Sequence, residues 1–321
     1  MLVDAQAGRT CRTGIERRWE RMRNSSQPGA AGLAFGVGAY TLWGALPLYL
    51  HLLKAVPALQ VLAHRVLWSL ALLAVLIFVL RRASGIVAAA RGRTLLLLVG
   101  SALMIGINWI VYIWAVQNGH VLEASLGYFI NPLVNVALGF AFLGERLRRL
   151  QTGAIVIAAT GVIVLAISGG GALWLSLLLA LSFGLYGLLR KVAAIDALGG
   201  LTVETLLLAP ASIALLLYAG QTGTASFGHS AHLDWLLALA GVVTTAPLLL
   251  FAAAARRLPL ATLGLLQYIA PSLQFAEAVL LFGEAVHTVH IVTFALIWTG
   301  CALYAFDTIR ALRAARRPPV K

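Results

Sequence analysis

Cysteine, acid and charge of any kind are scarce in this chain. Two of its 321 residues are Cys, Cys11 in a polar stretch and Cys301 in an apolar one, so neither a disulfide framework nor a Cys-based metal site is expected. Charged residues make up 11%, against roughly 25% in soluble domains, which excludes an ordinary water-soluble globule. Acids are scarcer still: 11 Asp and Glu stand against 24 Lys and Arg, for a formal net charge of +13. Also missing are a Walker phosphate loop, a His-Glu-x-x-His metalloprotease motif and an Asp-rich cluster suited to magnesium-dependent prenyl or phosphoryl transfer. The Gly-x-Gly at Gly36–Gly38 lies inside an apolar run and reads as close helix packing. No cofactor and no metal is therefore expected.

Hydrocarbon is what the chain has, with 61% hydrophobic residues and a mean hydropathy of +0.92. Excess cations alone would suggest nucleic acid. In so apolar a chain they suggest a bilayer as the partner, with basic cytoplasmic loops, and no nucleic acid. A helix needs about 20 mostly apolar residues to cross about 30 Å of hydrocarbon. Ten segments qualify: 31–53, 58–80, 94–117, 121–142, 150–168, 172–189, 201–219, 232–254, 260–282 and 286–306. They are rich in Leu, Ala, Val and Gly and lack the alternation of a barrel strand. Residues 1–30 are polar and Arg-rich, unlike a cleavable signal, and are expected to form a weakly ordered cytoplasmic tail. Residues 307–321 form a second basic tail.

With the N-terminus inside, the cytoplasmic segments collect Arg9 through Arg23, Arg81, Arg82, Arg91, Arg93, Arg146, Arg148, Arg149, Arg190, Lys191, Arg256, Arg257 and the cations from Arg310 to Lys321. Lys54 alone falls in an outer loop, and Arg65 alone falls within a span. The positive-inside rule then places both termini in the cytoplasm of a multi-pass protein. All seven His fall in the outer half: His51, His64, His120, His229, His232, His287 and His290. The pairs three apart could share a helix face as an external metal or pH site, but His at a membrane edge is ordinarily polar surface.

The chain also resembles itself at a shift of about 140 residues. Pro132 to Glu145 and Pro271 to Glu284 both read Pro, eleven residues, then Gly-Glu, and Tyr40 to Gly44 parallels Phe183 to Gly187. Five spans separate equivalent positions. An odd number requires the two halves, 31–168 and 172–306, to run in opposite directions, the inverted repeat of many secondary transporters. Pro132 and Pro271 each remove a helical hydrogen bond in mid-span, as a packing kink or as a paired hinge.

His64 to Ser69, Asn108 to Val116 and Glu123 to Asn135 resemble the RarD branch of the EamA transporters, in the drug/metabolite transporter superfamily. Val243 to Leu248 and Thr262 to Pro271 fit the same branch, so the resemblance spans about residues 31–306. It implies a ten-helix inner-membrane permease, all-α, with two five-helix EamA repeats. Its name is linked to chloramphenicol sensitivity, and no substrate is firmly assigned.

Ionisable groups inside a membrane are costly and are the first site candidates. Arg65 in span 2 and Glu277 in span 9 reach similar depths on the outer side, so they could pair. Glu123 at the outer edge is the competing partner. Arg65 fits three roles: a tie between helices, a vestibule residue attracting an anionic or zwitterionic group, and a side chain snorkelling to the surface. Asn108, Asn131, Asn135, Gln267 and Gln274 are amides that suit a neutral or zwitterionic solute, or simply bond helix to helix. Tyr40, Trp43, Trp109, Tyr128 and Tyr268 offer flat, partly polar walls, and some of them belong instead to the interfacial aromatic belt. The leading expectation is a secondary transporter of a small amphipathic or zwitterionic organic solute or drug-like compound. It works by alternating access as a monomer or homodimer, with export suggested partly by the resemblance. Its candidate binding residues are Arg65, Asn108, Trp109, Tyr128, Asn131, Asn135, Tyr268, Gln274 and Glu277. The alternatives are an integral-membrane enzyme acting on a lipid-linked substrate and a non-transporting scaffold.

Overall fold

Long apolar runs can satisfy their backbone in lipid only by bonding within the segment, which makes them helices. In the computed structural model, which describes residues 30–143, 148–168, 172–255, 257–258 and 266–315, every regular element is a helix. They are α1 (Ala30–Gly44), α2 (Leu46–Leu52), α3 (Ala58–Val79), α4 (Ala83–Ala89), α5 (Gly92–Gln117), α6 (Val121–Leu143), α7 (Arg149–Ile167), α8 (Leu173–Val192), α9 (Ala197–Gln221), α10 (Ala231–Ala255), α11 (Ile269–Leu280) and α12 (Thr288–Ala315). Six spans are long and apolar enough to cross a membrane: Ala31–Leu52, Ala58–Val79, Gly92–Gln117, Leu173–Val192, Ala197–Gln221 and Ala231–Phe251. The fold is that of an all-helical, polytopic membrane protein.

Helix is found in all ten predicted segments, although in 260–282 it covers only Ile269–Leu280, with 260–265 outside the described residues, and the last helix runs past the predicted 306 to Ala315. Two local departures stand beside these. Segment 31–53 breaks at Ala45, whose backbone leaves the helix just ahead of Pro47, which occupies the first turn of α2 where a missing N–H costs nothing. The predicted loop after span 2 contains the short helix α4. It is reached through Arg81 at φ 52°, the single non-glycine residue with positive φ among the described residues.

Side-chain bonds gather the turns at two ends of the bundle. At one end Gln117 donates to the carbonyls of Leu53 and Val56, both at 3.0 Å. There Gln60 also brackets the 222–230 turn, donating to Thr224 O at 2.8 Å and accepting from Ser226 N at 2.9 Å. At the other end Arg82 pairs with Asp196 at 2.8 Å and Arg148 with Asp307 at 2.6 Å. Between the ends, α7 packs on α12, α6 and α5 on α8, α10 on α1 and α3, α9 on α3 and α5, and α11 on α6 and α1. The largest buried cluster runs from Leu50 and Leu53 through Tyr112, Phe129 and Leu179 to Phe294 and Ile297. Apolar side chains also face outward, Phe78, Ile167, Leu280 and Trp235 among them, as expected of a surface wetted by lipid.

Close approach sets one of these contacts. A Cβ on Gly241 of α10 would stand 2.6 Å from the carbonyl oxygen of Trp68 on α3, so only glycine lets the two backbones meet.

Candidate functional site

Arg65 is two turns into α3 and only 6% exposed, so its charge is held by protein rather than by water. Its Nε donates to Thr244 Oγ1 of α10 at 2.8 Å. The guanidinium lies over the Trp109 ring of α5, 4.6 Å from the centroid, a desolvated cation–π contact of about 2 kcal/mol. The hydroxyls of Tyr49, Tyr112 and Tyr128 are near enough to act on it electrostatically. Nη1 has no hydrogen-bond partner. The side chain is thus fixed by Thr244 and Trp109 and keeps a free donor in a buried, tyrosine-walled place.

Behind this wall the polar groups lock one another. Asn108 donates to Leu179 O at 3.0 Å and to Ser182 Oγ at 3.1 Å, both on α8, and accepts from the Tyr128 hydroxyl at 3.2 Å. Its amide is fully engaged, so it ties α5 to α8 and orients Tyr128. Tyr49 donates to Leu236 O at 2.8 Å. Tyr112 is 1% exposed with its hydroxyl unpaired, and it feels both Arg65 and Glu277.

Glu277 on α11 is buried, with Oε2 unpartnered. Among the described residues no ion pair joins it to Arg65. Glu123 does not pair with Arg65 either: it lies 3.5 Å from His120 Nδ1 at the end of the bundle. Asn131 on α6 and Gln274 on α11 are each buried with a carbonyl oxygen unpaired, and Gln274 donates to Trp43 O at 3.1 Å. Tyr268 stands apart, stacked on Phe129 beside Phe294 and Trp298. Trp43 and Tyr40 pack with Phe251. Pro132 and Asn135 fall in α6, which continues as helix past both, and their side chains lie outside the described residues. Pro271 falls in the first turn of α11.

Sequence reasoning met Tyr112 and Thr244 only within the runs that carry the resemblance and gave them no site role, and it passed over Tyr49 and Glu204. The last left a signal, an acid inside the segment 201–219. Glu204 is 1% exposed and accepts a hydrogen bond from Ser101 Oγ of α5. Arg190 was expected in a loop, yet α8 runs on to Val192, and Arg190 Nε lies 3.5 Å from Glu204 Oε1. Arg190, like Arg65, is therefore a cation that meets a buried polar group on a neighbouring helix. The His pairs hold no metal-like cluster among the described residues. His287 N donates to His290 Nδ1 at 3.3 Å.

These helices define a multi-pass membrane protein, and comparison with known proteins gives its class as a membrane transporter. The chain belongs to the EamA-like transporter family, whose profile matches residues 30–167, and within it to the RarD-type permeases. It is 46% identical over 298 residues to an uncharacterized transporter of Vibrio cholerae, covering 92% of this chain and 99% of that one. It is 44% identical over 284 residues to Protein RarD of Escherichia coli, covering 88% and 96%. A Pseudomonas aeruginosa relative named chloramphenicol-sensitive protein RarD is 36% identical over 301 residues, covering 92% and 99%. A solved crystal structure with 20% identity superposes with a TM-score of 0.57 over 88% of this chain and 99% of that chain, a likeness of fold.

Proposed function

We propose that this protein is a secondary transporter carrying a small amphipathic or zwitterionic organic solute across the bacterial inner membrane by alternating access. In this reading residues 31–168 and 172–306 are inverted halves, both termini are cytoplasmic, the direction is export, and the molecule works as a monomer or homodimer. The pattern of helix packing supports the two halves. A shift of five spans turns α5 on α8 into α10 on α1, α6 on α8 into α11 on α1, and α3 on α10 into α9 on α5. The pairs α3–α9, α6–α11 and α7–α12 map onto themselves.

The observation that carries the substrate class is the incomplete bonding of Arg65. A cation placed only to tie helices would spend its donors on protein, because an unpaired buried donor costs about 1–3 kcal/mol. Here Nη1 is left unpaired, Glu277 has an unpaired oxygen of its own, and both residues lie within electrostatic reach of Tyr112. A carboxylate would complete Arg65 and an ammonium would complete Glu277, so a zwitterion satisfies both. The aromatic walls of Trp109 and Tyr128 suit its organic body.

Flux across sealed proteoliposomes tests this, with radiolabelled zwitterionic amino acids and chloramphenicol as probes. Flux above protein-free vesicles is expected, and Arg65→Gln, Asn131→Ala and Glu277→Gln should each abolish it while remaining monodisperse in detergent. Loss of one partner of a buried charge contact, about 3–5 kcal/mol, corresponds to a fall of at least 100-fold. Unchanged flux in all three variants, or no flux of any probe, refutes the reading.

A further inference from the structure

Arg65 has a counterpart of opposite sign. It is the eighth residue of α3, and Glu204 is the eighth residue of α9, the helix five spans later. Arg65 bonds the hydroxyl of Thr244 on α10, and Glu204 bonds the hydroxyl of Ser101 on α5, again a helix five spans away. The same corner of each half therefore holds one buried charge steadied by one hydroxyl.

The counter-ion of Glu204 is loosely placed. Arg190 Nε stands 3.5 Å from Oε1, too far for a strong hydrogen bond. Arg190 Nη2 is given instead to Asp196 O at 3.0 Å, and the guanidinium lies across Gly200, where any Cβ would overlap it. Glu204 Oε2 and Arg190 Nη1 both lack partners. One oxygen of this buried carboxylate thus lacks a well-formed hydrogen bond, beside a cation that also bonds Asp196 O.

Aromatic rings connect this place to the Arg65 site. Tyr112 meets Tyr128 at 5.4 Å, Tyr128 meets Phe183 edge-on at 6.0 Å, and Phe183 meets Tyr186 at 5.7 Å. The Tyr186 hydroxyl reaches the Glu204–Arg190 pair. The row begins within electrostatic reach of Arg65 and ends at Glu204. Ring faces and edges of this kind suit a flat organic cation.

We propose that Glu204 is a second binding station, for the ammonium group of an aromatic amine or zwitterion, and that Arg190 is the counter-ion the ligand displaces. Its place on a translocation path rests on the transporter reading above; the binding itself does not.

Equilibrium binding of radiolabelled phenethylamine to the detergent-purified full chain tests the proposal by scintillation proximity. The probe's ammonium is its only charge and its ring matches the aromatic row. Saturable binding is expected, weakened at least tenfold by Glu204→Gln and tightened several-fold by Arg190→Gln, because removing the competing cation frees the carboxylate. Phenylacetate, the anionic analogue, should lose affinity with Arg65→Gln and not with Glu204→Gln. No wild-type binding of phenethylamine, binding indifferent to Glu204→Gln, or an affinity unchanged or lowered in Arg190→Gln would each overturn the station. The Arg190→Gln arm decides alone should Glu204→Gln fail to fold, with a thermal midpoint confirming that the variant is folded. Glu204-dependent binding without flux removes the transport reading and leaves the station, whereas flux with Glu204-independent binding does the reverse.

Discussion

Glu284, between α11 and α12, caps a helix it does not belong to. Its two carboxylate oxygens accept from Val121 N at 2.8 Å and Leu122 N at 2.7 Å, the opening amides of α6. These amides have no partner within their own helix. Glu284→Ala removes both acceptors. An unsatisfied buried amide costs about 1–3 kcal/mol and a lost cap about 0.5–2 kcal/mol. Water reaches this half-buried site and recovers part of that, so a net loss of about 2 kcal/mol is expected. Glu284→Gln should cost less, because the charge itself is poorly housed. Burial pushes the Glu284 carboxyl above its ordinary range and neighbouring Glu123 adds to the rise, against the two amides and His120, which lower it. A carboxyl raised in the folded state stabilises the fold below its unfolded value, and that contribution is lost as pH rises through the folded value. Wild type should therefore gain stability over Glu284→Gln as pH falls from neutral towards the ordinary carboxylate range. Thermal denaturation of detergent-purified protein across that window reads both effects. A Glu284→Ala midpoint equal to wild type, or a wild-type advantage over Glu284→Gln that grows as pH rises, would refute the reasoning.

Two smaller effects can be read in the same assay. Gly241→Ala pushes α10 off the Trp68 backbone and should cost about 1–3 kcal/mol, whereas Gly220→Ala, with nothing within 4 Å of the added carbon, should not destabilise. Arg82→Ala breaks an ion pair whose side chains are 52% and 45% exposed; its effect should stay within about 0.5 kcal/mol and vanish in high salt.

The helices were legible because a run of about 20 apolar residues has few other fates in a bilayer. The break at Ala45 and the helix α4 were not, since both depend on local backbone turns inside apolar or basic sequence that gives no periodic signal. Arg65 was conspicuous as a cation in the midst of a span. Thr244, Tyr49 and Tyr112 became visible only in three dimensions, because which hydroxyl meets the guanidinium depends on how α2, α5 and α10 are rotated against α3. Glu204 was missed for a matter of length. Segment 201–219 placed it at a membrane edge, but α9 starts at Ala197 and carries it two turns deep, while three more helical residues than expected, through Val192, bring Arg190 to meet it.

In the transport cycle proposed above, the opposite charges of Arg65 and Glu204 have a kinetic consequence. A carrier built from two alike halves would meet its solute identically from either compartment. With a cation at one corner and an anion at the equivalent corner, a solute entering from one side meets first the group that attracts its carboxylate, and from the other side the group that attracts its ammonium. Half-saturation concentrations should then differ between the two faces. A carrier cannot shift the equilibrium of an uncoupled solute, so the two maximal rates must differ in the same proportion. The inequality would make transport faster in one direction when solute saturates both faces, while leaving the rates at low solute and the final balance equal.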